Sequence, residues 1–402
     1  MEKDSNLLAI HGGKPVRETL LSYGRQCITE EDIHSVVETL QSPFLTQGPK
    51  IKEFEQKVAE VVGAKYAVAF SNGTAALHGA CHAAGIGPGD EVITTPMTFA
   101  ASANCVRYCG GTVKFADIHP DTYNIDPKEV QSLLSEKTKA IIPVDFTGQP
   151  ADMDEIIAMA KDHNAVVIED AAHSLGATYR GRRVGSIADM TMFSFHPVKH
   201  ITTGEGGIIT TNSEHFYQKL LLFRSHGITR EHTLLKNTSQ GPWYYEMLEL
   251  GYNYRMTDLQ AALGISQLSK LKLFVDRRRE IANIYNKHFS KNPCIRIPYQ
   301  MDDRESSWHL YIIQLELDKL SCTREVIYKA LLAENIGVNV HYLPVHLHPY
   351  YQKLGYQKGI APIAEKLYER IITLPLFPAM SNQDVNDVIM GVEKVLGAYS
   401  VN

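Results

Sequence analysis

Two side chains in this sequence have the chemistry to work an electron-accepting aldehyde cofactor. Lys199 stands in Phe193–Gly207, FSFHPVKHITTGEGG, after the strand-like run Asp189–Phe195 and before a second apolar run, Gly206–Thr211. Asp170 follows the apolar run Ala165–Ile168 upstream. A lysine amine condenses with an aldehyde to a Schiff base. A carboxylate can pair with a pyridinium nitrogen and keep it protonated, so that the ring accepts electrons. An acid ending one strand and a lysine shortly after a later one are the two groups that pyridoxal 5'-phosphate needs. Taken singly neither is diagnostic, because most lysines are solvated surface groups.

The elements that would position this pair alternate along the first two-thirds of the chain. Strand candidates are Tyr66–Phe70, Glu91–Thr95, Thr112–Phe115, Ala140–Val144, Ala165–Ile168, Met190–Phe195 and Ile208–Thr211, with helix-like patterns such as Pro127–Ser135 and Met153–His163 between them. Several strands are apolar throughout, as expected where helices cover both faces. That pattern gives an α/β sheet, in which ligands gather at the carboxyl ends of the strands. Asp170 and the loop after Phe70 both fall there. From Asp258 to Phe289 the periodicity is that of one long helix. Its charged run Asp276–Glu280, DRRRE, is expected to be a solvated face. A smaller C-terminal α/β unit would follow, with Trp308–Leu317 a strand and Arg324–Glu334 a helix. The expected division is 1–257, with an N-terminal arm, and 258–402.

Three further motifs bear on the site. SNGTAAL, Ser71–Leu77, follows a strand and opens a helix at about Thr74. Such a helix start binds phosphate through free amides at the positive end of the dipole, and it also reads as a plain Ser/Asn helix cap. TTPMTFAAS carries Phe99, by itself far more often a core residue than a ring-stacking one. His341, His346 and His348 in VHYLPVHLHPYY invite a metal reading, but no Cys, Asp or Glu lies between them, and no metal is expected.

These motifs occur together with YGRQCITEEDI, FLTQGP, EDAAHSLGA, FRSHGI and GYNYRMTDLQAALG. In this order and spacing the chain resembles the DegT/DnrJ/EryC1/StrS sugar aminotransferases from about Leu8 to Leu396. The resemblance implies the fold type I architecture of pyridoxal phosphate enzymes: a mostly parallel seven-stranded sheet in the large domain and a smaller C-terminal α/β domain. It implies Lys199 as the catalytic residue, with Gly73, Thr74 and Ser194 at the cofactor phosphate. It implies Phe99 and Ala172 on the two ring faces, Asp170 at the ring nitrogen and His173 beside the phenolic oxygen. Asn253 would reach the neighbouring subunit's phosphate, which implies a homodimer. Substrate contacts carried over are Tyr23, Pro43, Phe44, Leu45, Thr46, His341, Tyr342, Leu343, Pro344 and Val345.

The implied reaction is transamination from L-glutamate to a nucleotide-linked keto-sugar, with pyridoxamine 5'-phosphate formed during turnover. Sugar dehydratases of the same family have histidine where this chain has Lys199. FSFHPVK and LSYGRQCITEEDI resemble the branch that makes UDP-4-amino-4,6-dideoxy-N-acetyl-β-L-altrosamine, an intermediate of pseudaminic acid synthesis. Enzymes acting on other dTDP-, GDP- or UDP-linked keto-sugars share most of the motifs. The segment Thr229–Gly241 is not matched to the altrosamine branch; it folds over the sugar site or is surface. A cofactor-binding regulator is a different class, but no helix-turn-helix extension or basic stripe is visible. An amino-acid aminotransferase would clamp its substrate with arginine, and the Val338–Tyr351 loop contains none, although Arg255 and Arg370 stay open for that role.

Size and composition agree with an enzyme of this kind. The chain has 402 residues, 44% hydrophobic and 21% charged, and 40 basic against 45 acidic residues give a net charge of −5. That balance argues against nucleic acid as a main partner. No stretch is long and apolar enough for a membrane span or a signal peptide, and six scattered cysteines make no disulfide framework. A cytoplasmic enzyme is expected.

Overall fold

A computed structural model describes residues 7–237 and 240–401. Seven strands form the main sheet: β1 Tyr66–Phe70, β2 Glu91–Thr94, β3 Thr112–Phe115, β4 Thr138–Ile142, β5 Val166–Asp170, β6 Met190–Ser194 and β7 Gly207–Thr211. Their order is β1-β7-β6-β5-β4-β2-β3. Only β7 runs antiparallel to its neighbours. All seven expected strands are present, with ends displaced by at most two residues. Val68, Ile93, Ile141, Ile168, Phe193 and Ile209 are fully buried, so both sheet faces are covered. Removing one such large side chain, Phe193→Ala for instance, costs about 3–5 kcal/mol.

Because β7 is reversed, its first residue lies at the carboxyl end of the parallel strands. Gly207 pairs with Phe70 on one side and Ser194 on the other. A Cβ at Gly207 would lie 2.6 Å from the Asn72 backbone and 2.7 Å from Gly73 Cα. Glycine here lets the turn after β1 close over the sheet edge.

Helix α1, Glu30–Gln41, and helix α2, Pro49–Val62, pack against a later helix. The single long helix expected over Asp258–Phe289 is two helices. One, Asp258–Leu268, packs on α1 and α2, and the next, Leu271–Phe289, leaves it at a break through Ser269–Lys270. The second helix crosses between two cores. Leu271, Phe274 and Val275 join the core under the main sheet, while Ile281, Ala282, Tyr285 and Phe289 join another. Its buried positions follow helical spacing, and Arg278 sits in the middle of that stripe, 1% exposed. The solvated face expected of DRRRE is therefore corrected at Arg278. Asp276 and Glu280 are exposed.

The second core carries an antiparallel sheet of Ile295–Arg296, Tyr311–Leu315 and Ile371–Leu374, covered by Arg324–Ala333 and Asn382–Tyr399. The strand expected from Trp308 begins only at Tyr311, because Trp308 takes φ 52° and turns the chain. It ends at Leu315, and a 3-10 turn follows at Leu317–Lys319. The N-terminal arm packs on this second core rather than on the main sheet. Leu8 and Leu21 are buried in it, and Leu21 bonds the backbones of Asn335 and Gly337.

Candidate active site

The carboxyl ends of β1, β5 and β6 open into one cavity of about 860 Å³. Asn72 caps the helix Gly73–Ala83, accepting the Ala75 N–H at 2.8 Å. The Gly73 and Thr74 amides thus stand in the first turn, ahead of intrahelical partners. Below them the Ser71 N–H donates to the Tyr254 carbonyl at 2.7 Å. Ser194, ending β6, lies across the turn, and a Cβ at Gly73 would meet its Oγ at 3.4 Å. Three small or hydroxylated residues and an eleven-residue helix start form a cradle suited to a phosphate dianion.

Lys199 is presented by a loop tied back onto β6. Thr202 Oγ1 and the Thr203 N–H both donate to the Phe195 carbonyl at 3.0 Å, and the Lys199 N–H donates to the His196 carbonyl at 2.9 Å. Its amine lies 3.4 Å from His309 Nε2. Burial brings the Lys199 ammonium down from 10.5 to about 8; Asp170 opposes that and Arg278 adds to it.

Asp170, 5% exposed, ends β5. Its Oδ2 accepts from Ser102 Oγ at 2.6 Å and its Oδ1 from the Ala172 N–H at 3.1 Å. Burial pushes this carboxyl up, and the two donors and Lys199 pull it back. His173, His200 and His309 are all held well below the ordinary imidazole value, first by burial and then by neighbouring cations. The amine is surrounded by neutral imidazoles.

Eleven of the expected residues line the cavity together: Tyr23, Gly73, Thr74, Phe99, Asp170, Ala172, His173, Ser194, Lys199, His341 and Tyr342. Tyr342 Oη lies 3.4 Å from His173 Nε2, and Tyr23 packs on His341 at 5.1 Å between ring centres. Phe99 is 61% exposed, its ring 6.2 Å from that of Tyr342.

Other expected residues stand elsewhere. Val345 does not face the cavity. It is 1% exposed, in the core on the sheet face opposite to that of Leu271 and Phe274, and its N–H donates to the Pro96 carbonyl, so its side chain has no surface to offer a substrate. Leu343 and Pro344 lie outside the cavity lining, Pro344 buried. Pro43, Phe44, Leu45 and Thr46 are exposed and also outside it. Asn253 is exposed and pairs with Ser225, while its neighbours Tyr252 and Tyr254 stack at 4.8 Å. His341 bonds Thr373 at 2.8 Å and His346 bonds Glu365 at 2.8 Å. No three metal-ligating side chains converge among the described residues. In Thr229–Gly241, residues 238–239 lie outside the described residues, and the rest does not line the cavity.

Sequence reading missed Ser102, His309 and Arg278. Ser102 is the last residue of TTPMTFAAS, one helical turn after Phe99. Arg278 falls on an apolar helical stripe, which was a usable signal. His309 follows the expected start of a strand and carries no motif of its own.

The donor set fits pyridoxal 5'-phosphate: an amine, a buried carboxylate and an anion cradle face one chamber. Comparison with known proteins agrees. The model of the DegT/DnrJ/EryC1/StrS aminotransferase family matches residues 26–393. The spore coat polysaccharide biosynthesis protein SpsC of Bacillus subtilis is 46% identical over 382 residues, 94% of this chain and 98% of that protein. The UDP-4-amino-4,6-dideoxy-N-acetyl-beta-L-altrosamine transaminase of Campylobacter jejuni is 40% identical over 387 residues, 94% of this chain and 100% of that protein. Among solved structures, Helicobacter pylori PseC, an aminotransferase of pseudoaminic acid biosynthesis, superposes with TM-score 0.89 at 32% identity, covering 95% and 100% of the two chains. A putative sugar aminotransferase of Streptococcus pneumoniae, solved in its PMP form, superposes with TM-score 0.88 at 34% identity, covering 94% and 99%. This chain belongs to the DegT/DnrJ/EryC1/StrS aminotransferase family and is a pyridoxal 5'-phosphate-dependent nucleotide-sugar aminotransferase.

Proposed function

We propose that the enzyme moves an amino group from L-glutamate to C4 of UDP-2-acetamido-2,6-dideoxy-β-L-arabino-hex-4-ulose, forming UDP-4-amino-4,6-dideoxy-N-acetyl-β-L-altrosamine. The observation that carries this reading is the full-length similarity to the Campylobacter transaminase of that name. A cavity that joins Lys199 to Tyr23, His341 and Tyr342 supports it. When bound, the cofactor supplies an electron sink for the substrate carbon and a temporary place for the amino group. Lys199 would hold the cofactor covalently at rest and, once released, would be the base that moves the substrate proton. Asp170 would pair with the ring nitrogen, with Ser102 and the Ala172 amide holding its charge in place. Gly73, Thr74 and Ser194 would take the phosphate. Phe99 and Ala172 would cover the ring, and His173 would bond its phenolic oxygen.

Tyr23, His341 and Tyr342 offer rings and hydrogen-bonding groups for the nucleotide-sugar. We assign Pro43–Thr46 and Asn253 to the neighbouring site of a homodimer. The loop Pro43–Thr46 is bonded to the chain four and five residues beyond Asn253: the Asp258 N–H donates to the Leu45 carbonyl at 3.0 Å, and Thr46 bridges Thr257. We divide the chain at about residue 257 into a cofactor-binding part and a smaller part, the N-terminal arm packing on the latter. A cytoplasmic location is supported by six free cysteines. No helix among the described residues is long and apolar enough to cross a membrane.

The similarity to SpsC favours a second reading, in which the acceptor is another nucleotide-linked keto-sugar. A single-turnover spectrum separates the two. L-Glutamate is added to the yellow holoenzyme until the colour bleaches, the glutamate is removed, and the UDP-linked L-arabino keto-sugar is added. Return of the yellow band supports the first reading. Bleaching without return on that sugar, with return on a dTDP- or GDP-linked one, supports the second.

A further inference from the structure

His309 is 4% exposed, and its only side-chain hydrogen bond among the described residues is the 3.4 Å contact with the Lys199 amine. Its ring centre lies 4.3 Å from that of His173 and 5.7 Å from that of His200. The backbone that carries it is held on two sides. From one side Arg278 donates to the carbonyls of Trp308 at 3.3 Å, His309 at 3.1 Å and Leu376 at 2.8 Å. From the other, the Ser307 N–H donates to the Gly148 carbonyl at 3.0 Å and the Leu310 N–H to Thr147 at 3.2 Å. Gly148 has φ 109°, and a Cβ there would lie 2.8 Å from the Trp308 nitrogen and 2.9 Å from that of His309. Only glycine lets the two segments meet so closely.

Arg278 has no carboxylate partner among the described residues, although its side chain is buried. Burial brings the Arg278 guanidinium down from 12.5 to about 9, so near neutrality it still places a positive charge beside what it faces, bonded only by carbonyls and with its Nε unpartnered among the described residues. Its effect on the Lys199 ammonium is repulsive.

We propose that His309 is a positioning residue for Lys199: its neutral Nε2 accepts a hydrogen bond from the amine, and Arg278 holds the 308–309 backbone that aims it. This rests on the reading of Lys199 as the cofactor lysine. The contact fixes where the amine sits between cofactor and substrate. Arg278 also disfavours the ammonium form, while His309 favours it as an acceptor. The other charged or titratable groups facing the amine are Asp170 from β5, His173 after it, His200 on the lysine's own loop and His341 from the C-terminal part. Burial keeps all three of these imidazoles uncharged near neutrality.

The two partners therefore pull Lys199 in opposite directions, and that is testable in the full chain. Cofactor-free protein is reacted with trace acetic anhydride across neutral to alkaline pH, and acetylation at Lys199 is read by peptide mass spectrometry. The wild-type midpoint is expected at about 8. His309→Leu is expected to lower it by about one unit and Arg278→Met to raise it by about one unit. His309→Gln, which keeps a polar atom near the Nε2 position, is expected to stay near wild type. If Arg278→Met does not fold, Arg278→Lys replaces it: the charge stays, the fork is lost, and the midpoint follows His309→Leu downward. In the loaded enzyme, His309→Leu is expected to lower kcat about 10- to 100-fold with the KM for L-glutamate unchanged. Midpoints that coincide in all variants, an Arg278→Met midpoint that falls with that of His309→Leu, or an Arg278→Lys midpoint that does not fall, overturn the proposal. A wild-type protein that never turns yellow with pyridoxal 5'-phosphate would defeat the reading of Lys199 itself. A yellow protein with unmoved midpoints defeats only the role of His309.

Discussion

Ser102 donates its hydroxyl hydrogen to Asp170 Oδ2 at 2.6 Å, so the carboxylate that faces the cavity is held by a side chain on the helix Ala101–Tyr108. Asp170 is buried, and burial alone pushes its carboxyl toward the neutral form. Ser102 is the largest opposing influence. Ser102→Ala is expected to raise the proton affinity of Asp170 further. A hydrogen bond to a charged group contributes about 1.5–3 kcal/mol, so the rate of bleaching by L-glutamate should fall about 10- to 100-fold. Stopped-flow absorbance measures it. An unchanged rate would mean that the Ala172 amide alone suffices.

Lys199→Ala is expected to bind the cofactor through its phosphate and ring contacts without forming the yellow band that borohydride fixes. Loss of both the attachment and the base should cost at least about 10³-fold in the single-turnover rate. Absorption spectra before and after borohydride, with mass spectrometry of the intact chain, check it.

Asn253 is exposed and lies outside the cavity lining of its own chain. Asn253→Ala is expected to weaken cofactor retention on gel filtration. Lys199→Ala and Asn253→Ala protomers, unfolded and refolded together, should regain activity in about a quarter of the sites, the fraction that random pairing in a two-fold dimer predicts. No recovery on mixing would place Asn253 at the site of its own chain.

Behind Asp170 lies a buried pair of carboxyls. Asp145 accepts from Ser174 Oγ at 2.6 Å and from the Ala151 N–H at 2.9 Å, and Glu169 accepts from Thr191 at 2.9 Å. Burial pushes Asp145 up from 3.8 to about 7 and raises Glu169 well above its ordinary value. A folded-state pKa above the unfolded one means that the native protein keeps a proton the unfolded chain releases. The stabilisation from Asp145 is therefore complete below pH 3.8 and is lost as pH rises through about 7. Asp145→Asn should flatten that fall and raise the unfolding temperature above neutrality by about 3 °C. Calorimetry across this range decides it; a slope identical to wild type would show that Asp145 keeps no extra proton in the native protein.

Much of the architecture was legible because it depends on local pattern. An apolar run between turn signals is a strand wherever it lies, and the seven runs named in the sequence became the seven strands of the main sheet. Lys199, Asp170 and the turn Ser71–Thr74 each follow a strand, so the topology of a mostly parallel sheet brings them to one edge. Val345 shows the limit of that approach. A motif carries residues as a block, but only the tertiary packing distinguishes the members that face a cavity, such as His341 and Tyr342, from those that fill the core. The break at Ser269–Lys270 was hidden because both flanking helices continue the same apolar period.

What the sequence by itself determined is the family, and it singled out Lys199, Asp170 and the turn Ser71–Thr74 as the candidate site, since each is written in residue type and short spacing. What only the tertiary structure decided is which side chains surround those groups: Ser102 at Asp170, His309 at Lys199, and Arg278 buried without a carboxylate. These contacts join residues far apart in the chain, and their strength depends on the exclusion of water. Neither separation in space nor dehydration is encoded at any one position; both arise when the helix Leu271–Phe289 and the turn at Phe146–Gly148 close on the segment that carries His309.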